Sequence, residues 1–223
     1  MMLRAAGLAG VIAGVTTAAI VALPYVYGTP ASFEERLALH GDPWYMLRQW
    51  LSFLNIFAIL LAGWGLAFHR LRASPGAASS GMLFLLFYGA TELIGRAVMI
   101  FTREYRWVHG LEGADSETRT ALLDSIRTFD AVWSGAFPLI LITFTLSAFL
   151  FAWATRGGGR FQQVVSMALF AAAALGAVTF VAPYVSWLRP VATWGYVLVQ
   201  PASRFIVGLF LLRESARIRP KGY

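Results

Sequence analysis

The sequence predicts an all-α polytopic membrane bundle of about six transmembrane helices, with both termini cytoplasmic, and three observations carry that expectation. Of 223 residues, 58% are hydrophobic and only 13% are Asp, Glu, Lys or Arg, about half the charged share of an ordinary globular domain. Stretches of about 20 mostly apolar residues, the length a helix needs to cross hydrocarbon, recur along the whole chain. Arg and Lys collect between those stretches on alternate sides, as the orienting bias of membrane proteins requires.

The predicted spans are 6–27, 44–68, 80–101, 131–154, 162–184 and 191–212, and they fill residues 1–223 as a single transmembrane domain. Arg4 followed by a small-residue apolar run resembles a signal peptide, but the run exceeds the usual 7–15 residues and reads as an uncleaved span. Ser32-Phe33-Glu34-Glu35 reads as a capping box opening a short helix that stops at Gly41. Asp42-Pro43 then caps the second span, with proline at the first helical position. The long connection 102–130 contains a helical stretch from about Ser116, in which Leu122, Leu123, Ile126 and Phe129 recur at helical spacing. It is expected to lie on the outer membrane surface or to cap the bundle, as a short amphipathic helix. The connections 70–79 and 155–161 read as plain turns.

With the N-terminus cytoplasmic, the inner segments hold Arg4, Arg70, Arg72, Arg156, Arg160, Arg213, Arg217, Arg219 and Lys221 against the single acid Glu214. The outer segments hold seven arginines and nine acids. The net charge of +7 is therefore a topology signal, and nucleic acid is excluded as a partner. Tyr25, Tyr27, Trp44, Tyr45, Trp50, Tyr105, Trp107, Tyr184, Trp187, Trp194 and Tyr196 gather near the outer interface as an aromatic belt. The pairs Gly10/Gly14 and Ala172/Gly176 mark faces where backbones approach closely. A short similarity, Val21–Val26 against Val181–Val185, suggests duplicated hairpins and does not fit an inverted 3+3 repeat.

With Arg48, one turn into the second span, counted with the outer segments, Glu92, Arg96 and Arg204 are the charged residues left within the spans. Each costs about 2.5–3.5 kcal/mol to insert at a helix centre, so each needs a partner or water. Glu92 and Arg96 stand i, i+4 with the acid first, the better orientation on one helix face. Arg204 reaches Glu92 if spans three and six are neighbours. One expectation is a polar site there, with Thr91, Gln200 and Ser203 as further ligands, where the excess positive charge holds an anionic substrate or lipid headgroup, or where Glu92 loads and releases a proton. The competing expectation is that the charges neutralise one another and only fix helix register.

Several chemistries are excluded. The chain has no cysteine, which removes disulfides, thiol catalysis, thiolate metal sites and covalent haem. His40, His69 and His109 stand at or beyond helix ends, and the one lysine lies in the tail. There is no GxSxG, HExxH or phosphate-cradling loop. No cofactor, metal or catalytic residue is expected, and an enzyme is the least supported reading. The layout resembles a large family of uncharacterised bacterial six-span membrane proteins, carried by Tyr88-Gly89-Ala90-Thr91-Glu92-Leu93 and by Phe205–Leu212 closing the last span. The second outer loop is longer and more charged than that family's. The resemblance implies the six-span fold and no activity. The function expected first is a small inner-membrane protein, multi-pass and bacterial, that binds or transports a small or amphiphilic ligand. The alternative is a non-catalytic partner subunit, docked through its helices on other membrane subunits or a second copy of itself, with lipids as the remaining partners.

Overall fold

The structure, a computed structural model, describes residues 1–217; Arg219 and Lys221, counted above among the inner basic residues, lie outside the described part. It is helical throughout that part, without strands. Six helices are long and apolar enough to cross a membrane. The elements are α1 (Met2–Ala22), the short α2 (Pro24–Tyr27) and α3 (Phe33–Ala38), α4 (Pro43–Arg70), α5 (Pro75–Ala97), α6 (Ser116–Thr155), α7 (Arg160–Val181) and α8 (Leu188–Arg217). Each long helix packs on the next, and α8 packs back on α1, so the six close a ring.

Side-chain size is sorted inside out, and this marks the solvent. On α1 the buried positions are Ala6, Gly7, Ala9, Gly10, Ala13, Gly14 and Thr17. On α4, Leu54, Phe57, Leu61, Trp64 and Phe68 form an exposed stripe at helical spacing, and Leu139, Ile142, Leu146, Phe149 and Trp153 do the same on α6. Water would penalise such stripes heavily; hydrocarbon chains do not. Small inward residues then let the helices meet, since packing rather than burial from water holds helices together in lipid.

The α1–α8 contact is the tightest case. A Cβ on Gly10 would stand 2.6 Å from the Gly208 Cα, and one on Gly208 would stand 2.4 Å from the Val11 nitrogen. The small face of α1 is thus consumed inside the chain, against α8. On α7, a Cβ on Gly176 would meet the Thr145 side chain of α6, and Ala172 packs beside Ala148. Because α1 and α8 run antiparallel through this contact, the two ends of the described chain lie at one end of the bundle, called here the terminal end. The opposite, loop end carries the connections after α1, α5 and α7.

Helix caps follow the sequence. The Ser32 hydroxyl accepts from the Glu35 N–H at 3.0 Å at the start of α3, and Asp42 accepts from Trp44 and Tyr45 N–H at 2.8 and 2.9 Å at the start of α4. Residues 102–130 differ from expectation. Beyond Ala97 the third long helix continues as a π-helix, Val98–Val108, and ends in a 3-10 turn, His109–Leu111. After a short turn, α6 begins at Ser116 and runs unbroken for 40 residues, about 60 Å at 1.5 Å per residue. The helical stretch from Ser116 is therefore the first part of α6, not a separate surface helix. Its Ile126 packs with Val108 and Leu111 and against Phe33 and Leu37 of α3, a small second core at the loop end. The wide turns of a π-helix are rare, and long runs of them rarer; this one carries buried charges.

Candidate functional site

Two charge clusters are built on the third long helix. The first is at the loop end, where sequence reasoning saw only loop charges. In the π-helical segment the buried positions are Ile100, Arg103, Glu104 and Val108. Arg103 is 1% exposed and Glu104 not at all. Arg103 donates Nε to Asp130 Oδ1 at 2.9 Å and an Nη to Oδ2 at 3.3 Å, a bidentate pair with α6, and it also binds Glu104 Oε1. The Tyr45 hydroxyl donates to the same Glu104 oxygen at 3.0 Å, and His40 Nδ1 stands 3.3 Å from the other. Arg36 lies 3.5 Å from Asp130. Wider turns place adjacent residues 103 and 104 both inward, where each finds partners on α4, α6 and the residues before α4. The cluster is neutral and every carboxylate in it is bound, so it clamps three elements together and offers no vacancy.

The second cluster contains the residues singled out from sequence. Glu92 and Arg96 pair at 3.2 Å, and Arg96 also donates to Gln49 Oε1 on α4 at 3.0 Å and lies over the Trp133 ring. Arg204 does not reach Glu92. No carboxylate among the described residues lies within 4.0 Å of its guanidinium, and α5 and α8 are not neighbours in the ring. Arg204 turns instead to α1, where Thr17 Oγ1 accepts from one of its Nη groups. Asn55 of α4 donates to the same hydroxyl at 3.0 Å and accepts from Thr16 at 2.7 Å. The remaining candidates fare differently. Thr91 donates to Phe87 O on its own helix at 2.9 Å and does not join the site. Ser203 donates to Gln200 O at 3.1 Å, so its hydroxyl is spent. Gln200, 3% exposed, leaves its Oε1 without a partner, and the Arg204 Nε is likewise buried without one.

Both residues line the interior of the ring. Arg204 lines three neighbouring spaces. One is bounded by Tyr88, Glu92, Tyr196 and Gln200; another by Glu92, Arg96, Thr17 and Asn55. The third runs toward the terminal end between apolar walls that include Ile59, Leu66, Leu85 and Phe151. A few convergent polar groups in an apolar lining are the usual make-up of a ligand site. Pro201 helps open this region, because its ring removes the helical bond to the carbonyl of Val197, one turn back in α8. The arrangement can hold a negative charge. The Glu92–Arg96 pair cancels itself, and Arg204 is left as a cation whose protein contact is a hydroxyl.

Thr17, Asn55, Gln49, Tyr88 and Tyr196 were not foreseen as part of this site. Among the described residues no group of three or more His, Asp or Glu side chains is placed to hold a metal. Compared with known protein families, with curated proteins and with solved structures, the chain matches none, so the likeness to a six-span bacterial family stays a likeness.

Proposed function

We propose that the chain is a multi-pass membrane protein that binds or moves a small or amphiphilic anion through an intramembrane site centred on Arg204. One observation carries the reading: Arg204 stands in the wall of three neighbouring spaces without a carboxylate within 4.0 Å. An unpaired cation in the apolar part of a bundle costs several kcal/mol, and such residues mark ligand or ion pathways. Glu92, Arg96 and Gln200 shape the site; Thr91 and Ser203 do not donate to it. The excess of arginine at the terminal end supports a cytoplasmic orientation for that end, in a bacterial inner membrane. The small-residue faces of α1 and α7 pack within the chain, which favours the ligand reading over docking through those faces.

Native mass spectrometry of the protein extracted in neutral detergent tests this. Wild type is expected to carry an anionic amphiphile that Arg204→Met lacks. The same adducts on both proteins would remove the site.

A further inference from the structure

We infer that the anion taken at Arg204 is the hydrogen phosphate head of a single-tailed lipid phosphate monoester, its tail lying in the apolar space toward the terminal end. The inference rests on the anion-site reading above and adds the head group and the direction of the tail.

The two buried orphan atoms have opposite needs. The Arg204 Nε–H is a donor without an acceptor, and Gln200 Oε1 is an acceptor without a donor. They stand i, i+4 on α8, on one face of the helix, and both border the space lined by Tyr88, Glu92 and Tyr196. A buried polar group left unpaired is costly, so the occupant has to accept from one and donate to the other. Charge narrows the choice. A carboxylate or a sulfate compensates Arg204 but has no proton for Gln200. A water or an alcohol satisfies both atoms but leaves the guanidinium charge uncompensated. A phosphate monoester in its singly ionised form carries a negative charge, several acceptor oxygens and one P–O–H. It meets all three needs, and arginine's planar fork suits its geometry.

The tail follows from the walls. On the terminal side of Arg204, the third space is bounded by Ala13, Ile59, Leu66, Leu85, Phe151 and Val207 among others. Its two serines are spent: Ser147 donates to Gly81 O at 2.9 Å and Ser203 to Gln200 O at 3.1 Å. Nothing there but Arg204 asks for a polar ligand, and an alkyl chain is the natural filling.

The test uses the purified full chain in neutral detergent at pH 5, below the second phosphate pKa of about 6. Affinities are measured for octyl phosphate, octyl methyl phosphate, octyl sulfate and inorganic phosphate, with all amphiphiles below their micelle concentration. Octyl phosphate is expected to bind about tenfold more tightly than the diester or the sulfate, which match its charge but lack the P–O–H. Inorganic phosphate, without a tail, is expected to give no response at equal concentration; an equal response would make this a free-phosphate site and overturn the lipid assignment. Gln200→Met should erase the monoester preference, so that octyl phosphate and octyl sulfate bind the variant equally. If wild type binds the three octyl anions equally, and all are lost in Arg204→Met, the head-group assignment is wrong while the anion site stands. If none of them depends on Arg204, both readings fall. The wild-type ratio needs no variant, so a poorly folding substitution does not spare the proposal.

Discussion

The two charge clusters on the third long helix stand about two turns apart and differ in burial and in partnering. At the loop end, Arg103, Glu104, Asp130, Tyr45 and His40 are mutually bound, and no carboxylate lacks a partner. In the middle of the ring, Glu92 and Arg96 are bound to each other, whereas Arg204 has only Thr17, and its Nε and the Gln200 Oε1 have nothing. The comparison teaches how a structural charge is told from one held in reserve. Arg103 and Glu104 are fully buried and fully partnered, whereas Glu92, Arg96 and Arg204 are half-buried and, as a group, incompletely partnered. A satisfied network rigidifies the elements it joins, while an incomplete one beside a cavity leaves groups for the proposed ligand to bind.

The comparison breaks most easily at the loop end. Arg103→Met would leave Glu104 and Asp130 without their main cation, and loss of one partner from a buried pair costs about 3–5 kcal/mol. A large drop in unfolding temperature in neutral detergent is therefore expected; an unchanged temperature would mean the cluster is no clamp. A double-mutant cycle sharpens the other half. Glu92→Gln and Arg96→Gln should show a coupling of about 1 kcal/mol, whereas Glu92→Gln and Arg204→Gln should add to within about 0.5 kcal/mol. Strong coupling in the second cycle would mean that Glu92 neutralises Arg204 after all. The smallest effect concerns the exposed cap of α6. The Thr118 N–H donates to Asp115 at 2.7 Å and holds that carboxyl below its usual value of 3.8. Its folded pKa being depressed, the stabilisation is complete above the unfolded value and fades as pH falls below it. Asp115→Ala should lower the unfolding temperature slightly at pH 7, and the difference should shrink on acidification through the carboxylate range; a constant difference would assign the loss to something other than the ionised cap.

Much of the fold was legible because a bilayer imposes length. Runs of about 20 apolar residues stand out in any sequence, and the caps at Ser32 and Asp42 follow from local spacing. The pairing of Glu92 with Arg96 was readable for the same reason, being confined to one helix turn. The partner of Arg204 was not. Thr17 is a hydroxyl in an Ala/Val-rich helix 187 residues away, and its role depends on α1 closing the ring against α8. The Gly10/Gly14 pair announced a close contact without naming the other side, which is Gly208. The loop-end cluster escaped because charges directly after an apolar run read as interfacial. A signal was present in the spacing of four between Ile100, Glu104 and Val108, which continues a buried face past Phe101.

The measurement that tests the central claim most directly is thermal unfolding of Arg204→Met beside wild type in neutral detergent, each alone and titrated with octyl phosphate. Replacing an unpaired buried charge by an apolar side chain should leave the ligand-free protein as stable as wild type or more so. Wild type alone should then gain stability as ligand is added, in the measure of its occupancy. A variant that is markedly less stable and responds to the ligand as wild type does would contradict the account, and would make Arg204 a structural charge like Arg103.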